Sequence, residues 1–418
     1  MGPANAYRRF LAVFGFFTLV AGDFWRYLLS WWGWGAIVVV FVTLAVVELV
    51  RSRVDLRRLP LLLFGTLALM TISIAWSAYP GASAVGVATT LATTTYAVFL
   101  ATCFTWPELV DALAVAMRLV LGLSLAFELV VALFVREPVL PFFVDYSDLE
   151  KIPLAFYWSR DLLLEGGRIQ GIVGNANILA MAALLSLIAE TARRVAGRGG
   201  VTGSVVWIAV GLGMLALTRS STVLVAAAVV GVVVLVAWLA RRASGPGRVA
   251  VTVSLVALGA ATVVGALIFR APLLRLLGRS EDLTNRLDIW ATVIDLAGQR
   301  PIAGWGWISY WAPWVEPFDD LVVIKGVTYL QAHNAWLDIY LQLGILGLVV
   351  VGLLALSAVL RSWTYALDGP RTSALVPVAL LTALLVQSLA ESRLLIEIGW
   401  ALLVIVVIRT ARTRWERR

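Results

Sequence analysis

The 418-residue chain is 61% hydrophobic and only 14% charged, with a mean hydropathy of +0.92. That composition excludes an ordinary soluble domain and points to a polytopic membrane protein. A formal charge of +8 could indicate a nucleic-acid partner, but the basic residues sit in short loops between apolar runs and read as membrane topology.

Arg8 and Arg9 precede a first apolar segment that reads as retained rather than as a cleaved signal peptide. Runs long enough to cross a bilayer fall near 10–22, 31–49, 60–76, 85–104, 112–135 and 177–192. Six more fall near 201–218, 221–240, 249–269, 335–360, 374–390 and 394–409. The expectation is an all-α polytopic membrane protein, one integral membrane domain over 1–418 with about twelve transmembrane helices. Tryptophans near span ends, such as Trp31, Trp32 and Trp34, fit interfacial belts. Alternating the loops puts Arg51, Arg53, Arg57, Arg58, Arg193, Arg194, Arg198, Arg241, Arg242, Arg248, Arg361 and the tail from Arg409 on one side. By the positive-inside rule both termini are cytoplasmic, and the long loops 136–176 and 270–333 are extracytoplasmic.

The first long loop opens with Arg136-Glu137-Pro138 and is rich in aromatics, among them Phe142, Phe143, Tyr146 and Trp158. It also carries Arg160 and ends in Arg168-Ile-Gln170-Gly-Ile-Val-Gly174-Asn175-Ala-Asn177, a tight polar re-entry with Asn175 or Asn177 as helix N-cap. The second loop contains a surface helix, in which Leu283, Leu287, Trp290, Ile294 and Ala297 form an apolar face and Arg286 leaves from the opposite side. Glu281 and Asp282 suit its first turn, and Pro301-Ile-Ala-Gly304-Trp-Gly306 follows as a turn allowing close backbone approach.

The only histidine stands in Gln331-Ala332-His333-Asn334-Ala335-Trp336-Leu337-Asp338, where this loop meets a span. Imidazole titrates near neutrality, so His333 is the natural general base, with an interfacial helix-start histidine as the bland alternative. Asn334 and Asp338 share a helix face, whereas Asp338 lies too far round the helix to orient the ring. Gly344 and Gly347, roughly 17–21 Å deeper at 1.5 Å per residue, read as packing residues. Glu128 and Asp338 need partners or a cavity inside the membrane. Arg219, in the tight connection Thr218-Arg219-Ser220, joins Arg160, Arg168, Arg286 and Arg393 (beside Glu391) as an arginine expected on the outer side. Such guanidinium forks suit a diphosphate, although each alone could be contacting lipid headgroups. One histidine and the lone Cys103 argue against a zinc site and exclude disulfides, so neither metal nor cofactor is expected.

His333-Asn334-x9-Gly344-x-x-Gly347 resembles the signature of O-antigen ligases, within the superfamily that also holds O-antigen polymerases. Asn285-Arg286-Leu-Asp-Ile-Trp290 with Pro301-Ile-Ala-Gly304-Trp-Gly306, Gly174-Asn175-Ala-Asn177 (alanine for proline) and Thr218-Arg219-Ser220 are similar to further family segments. The resemblance implies a metal-independent inverting glycosyltransferase. It would move a glycan from undecaprenyl diphosphate to an acceptor hydroxyl on the outer face of the bacterial cytoplasmic membrane. By matching position, His333 would take the proton, and Arg219 and Arg286, with Arg168, would hold the diphosphate. Asn334, Gln170, Asn175, Asn177, Arg160, Glu391 and Arg393 would support the site or the acceptor. A polymerase joining lipid-linked repeat units and a lipid-linked glycan transporter are the alternatives. The acceptor stays open among lipid A–core, another envelope polymer, a repeat unit and a protein.

Overall fold

The computed structural model describes residues 3–147, 151–254, 257, 259, 281–324, 326–369 and 372–412. Its helices are α1 (Pro3–Val20), α2 (Gly22–Arg51), α3 (Leu61–Ile72), α4 (Pro80–Cys103), α5 (Trp106–Val130) and α6 (Ala176–Val195). After them come α7 (Val201–Thr218), α8 (Ser221–Arg242), α9 (Glu281–Gly298), α10 (Ala335–Asp368), α11 (Val376–Ser388) and α12 (Glu397–Arg412). Residues 246–254 are helical as well. Strands are confined, among the described residues, to a two-residue hairpin pairing Val323 with Thr328 and Ile324 with Val327.

Six described helices (α2, α4, α5 as extended to Val135, α7, α8 and α10) are long and apolar enough to cross a membrane, and Leu61–Trp76 and Ser373–Ser388 are shorter apolar helices. The expected run 249–269 lies mostly outside the described residues; every other expected run overlaps a helix. Local chemistry sets the helix starts. Thr105 and Glu108 form a reciprocal capping box on α5, and the Asn175 side chain accepts the Asn177 and Ile178 N–H groups of α6. At the centre lies α12, whose residues 400–408 are all buried, as an all-round apolar helix must be.

The arginine-rich helix ends are tied together at one end of the bundle. Arg8 bridges to Glu48, Arg193 and Arg198 both reach Asp111, and Arg248 meets Asp368. The sequence reading missed a pair between helices: half-buried Arg118 grips buried Glu190 through two bonds of 2.7 and 2.9 Å.

Two expectations need correction. The first concerns Gly344 and Gly347. Gly344 has φ 62° and ψ −158° and breaks α10. A Cβ on Gly347 would lie 3.0 Å from Cγ2 of Ile339, eight positions earlier, which a straight helix would hold about 12 Å away. The chain therefore turns back sharply, and these glycines permit the reversal rather than lying deeper in one straight span. The turn at 301–306 repairs the broken ladder. Trp305 and Gly306 N–H groups donate to Leu341 and Gln342 carbonyls, while Ile345 and Leu346 N–H groups donate to Pro301 and Ile302 carbonyls.

The second concerns α9. Its buried face is Ile289, Val293, Leu296 and Ala297, packed with Tyr79, Ile308, Trp311, Phe318, Ala332 and Leu341. Leu287 and Ile294 are exposed instead. Arg286, three and seven positions before Ile289 and Val293, lies on the packed side rather than the opposite one. A sequence with two apolar rows does not reveal which row the neighbouring strap will cover.

Candidate active site

Four separate segments meet around Glu391, the residue just before the short turn Ser392–Leu395. Its Oε2 lies 2.9 Å from Nδ1 of His333. Its Oε1 accepts from Arg286 Nη2 at 3.1 Å and from Asn177 Nδ2 at 2.7 Å. Burial alone would push the Glu391 carboxyl up, but His333, Arg286 and Arg393 outweigh it and hold the group below its usual range.

His333 reaches this carboxylate because its own backbone takes φ 50°, a left-handed conformation worth roughly 1 kcal/mol or more of strain. The strap around it is fixed on both sides. Asn334 caps α10 through Trp336 and Leu337 N–H groups, and its amide donates to Leu389 O at 3.3 Å. Asp338 accepts from Ala332 N–H at 3.1 Å and from the Ser392 hydroxyl. Glu391, not Asp338, therefore contacts the ring, and Tyr329 stands edge-on to it at 5.7 Å between centroids.

Asn175 and Asn177 divide their duties. With Asn175 as the cap, the Asn177 side chain faces the cluster, where its Oδ1 accepts from Arg168 Nη2 and Ser220 Oγ, both at 2.9 Å. Arg168 also donates to Thr218 O at 3.1 Å. The residues flanking Arg219 are thus anchored to the cluster. Arg219 itself, at φ 47°, projects an exposed guanidinium with no hydrogen-bond or ion-pair partner among the described residues. Arg160 donates to Leu154 O, and burial together with nearby Arg168 pushes its guanidinium below the usual range.

Other expected site residues are placed elsewhere. Gln170 braces its own turn, donating to Gly174 O at 2.7 Å. The Gln170 and Gly171 N–H groups and the Ser159 hydroxyl all donate to buried Glu128, which so finds its partners by folding the first loop onto α5. Arg393 turns away from Glu391 as a contact. It pairs with Glu397 at 2.7 Å in a cluster with Asp23 and Arg26. Ser220 and Tyr329 were missed, since a serine and a tyrosine near loop ends carry no distinguishing pattern.

Next to the strap lies an apolar groove of about 470 Å³, lined by Trp336, Gly352, Ala355, Val359, Leu385 and Leu389 among others. In a straight helix Trp336 and Val359 would be about 34 Å apart. Sharing one groove, they show that the α10 reversal sets the His333 strap beside the span and not beyond its tip. Among the described residues, no group of three or more His, Cys, Asp or Glu side chains could hold a metal ion.

Residues 204–352 match the family model described as O-antigen ligase. That segment runs from α7 through the α10 reversal and contains Arg219, Arg286, His333, Gly344 and Gly347. No curated protein sequence matches the chain. The match and the apolar helices make this a multi-pass membrane protein of ligase- or polymerase-type function in lipid-linked glycan processing. Through this segment, about a third of its length, the chain is similar to the O-antigen ligase family.

Proposed function

We propose that the protein is a metal-independent inverting glycosyltransferase that moves a glycan from undecaprenyl diphosphate to an acceptor hydroxyl. The observation that carries this reading is the single carboxylate, Glu391, touching both the histidine and an arginine of the matched segment. His333 Nε2 takes the acceptor's hydroxyl proton as its oxygen attacks the anomeric carbon from the face opposite the diphosphate. The carbon–oxygen bond to phosphate breaks, and undecaprenyl diphosphate leaves with the electron pair. Arg219 and Arg286, with Arg168 nearby, hold that growing charge. Arg160 lies near enough to Arg168 to feel its charge, and an anion beside such groups relieves their repulsion. The apolar groove suits a polyprenyl tail, with its diphosphate at the level of the strap.

The site then faces outward from the cytoplasmic membrane, with both termini cytoplasmic. The arginine-rich helix ends, gathered at the end of the bundle marked by Arg8, Arg193 and Arg248, support that orientation. Purified protein in vesicles, given lipid-linked glycan and candidate acceptors with chelator and no nucleotide, tests the reading. Parent protein should transfer one preassembled glycan, and His333→Ala should abolish transfer at unchanged protein level. A ladder grown on the lipid carrier would make it a polymerase, and unchanged activity of His333→Ala would remove the base.

A further inference from the structure

We propose that Glu391 is the positioning residue of the histidine base, and that Arg286 makes this positioning respond to donor binding. The inference rests on the reading of His333 as the base and adds how that base is set.

An ionised carboxylate only accepts, so the Nδ1 beside Glu391 carries the imidazole proton and Nε2 is left as the free acceptor. A proton that Nε2 receives is then stabilised by the carboxylate behind the ring, an arrangement of the kind that orients catalytic and metal-bound histidines. Among the described residues, no other acid contacts the ring. Asp338 is occupied by the Ala332 N–H and the Ser392 hydroxyl, and Arg393, the remaining charge felt by Glu391, is engaged with Glu397. Tyr329 presents its ring to the imidazole.

The other carboxylate oxygen is shared unequally. Asn177 cannot release it by flipping, because its own Oδ1 is held by Arg168 and Ser220. Arg286 can, since it reaches Glu391 through Nη2 alone and makes no other described hydrogen bond. A diphosphate arriving beside Arg286 offers more oxygens in better geometry than one carboxylate oxygen. As the guanidinium swings to it, the Glu391 charge is left to the imidazole. The base thus gains strength when the donor is seated, and a lone acceptor meets a weaker one.

The single histidine makes this measurable. Protein labelled with ¹⁵N in histidine gives one imidazole, whose two nitrogen shifts report which one is protonated. The parent should show the Nδ1–H form, and added undecaprenyl diphosphate should move the Nδ1 resonances toward a stronger hydrogen bond. Arg286→Gln should lose that response. Glu391→Gln should lower kcat on the order of 10–100-fold without raising the donor KM, and Glu391→Asp should recover part of it. A proton on Nε2 in the parent, or a tautomer unmoved by Glu391→Gln, would overturn the proposal. So would a kcat loss in Glu391→Gln matched by a rise in donor KM, which marks a structural role. An inactive His333→Ala beside a parent-like Glu391→Gln would sink the positioning role and leave the base standing. A fully active His333→Ala would instead remove the reading beneath it.

Discussion

Glu391 is nearly enclosed, yet it stays ionised because three donors converge on its two oxygens. Its carboxyl is held below the usual range, so its stabilising contribution is fully present above the ordinary glutamate value of about 4.3. That contribution is lost only as pH falls through the lower folded value. Thermal melts of parent and Glu391→Gln should therefore differ at neutral pH and converge in acid; a gap that widens in acid would contradict the assignment. Arg219 is the complementary case, an exposed guanidinium with no described partner to give up. Arg219→Ala and Arg286→Ala should each weaken binding of a polyprenyl diphosphate, by about 10-fold or more for a charge-assisted bond. Binding as tight as the parent's in both variants would remove the anion clamp. At this scale the sequence named nearly all the side chains, because a single histidine and arginines away from the basic loops stand out. It did not give the partner of each. Glu391 is 58 positions from His333, and no spacing rule spans that distance.

Among the elements, the broken α10 does most to shape the site. Its reversal brings the His333 strap beside the span, and the 301–306 turn supplies the backbone partners that the break leaves orphaned. A Cβ at Gly344 would meet the Ile302 carbonyl oxygen at 2.3 Å, with φ already at 62°. Gly344→Ala should thus destabilise the protein by more than about 1 kcal/mol and abolish transfer, read as a lower melting temperature together with lost activity. A stable, active variant would mean that the break is dispensable. The spacing of Gly344 and Gly347 after the histidine was plain in the sequence. Its meaning was not, since a glycine pair in an apolar run is equally consistent with close helix packing. The α9 helix taught the same lesson, its period being legible and its buried face not.

Across the whole molecule, charge is segregated to the two ends, with the ion pairs of Arg8, Arg193 and Arg248 at one and the Glu391 cluster at the other. With Cys103 replaced by serine, an impermeant thiol reagent applied outside should label Lys151→Cys in the exposed first loop. It should reach Arg57→Cys only after permeabilisation. The reverse pattern would invert the proposed orientation.

Hydropathy by itself determined that the chain forms helices long and apolar enough to cross a membrane, and the motif order marked its similarity to the O-antigen ligase family. Both are properties of local composition, since bilayer thickness fixes span length and each motif is read within a few residues. Only the tertiary structure decided that Asn177, Arg286, His333 and Glu391 share one cluster, that Arg393 belongs to another, and that α10 folds back on itself. Those outcomes depend on which surfaces bury one another across long stretches of sequence, and on where backbone groups freed by a break find new partners.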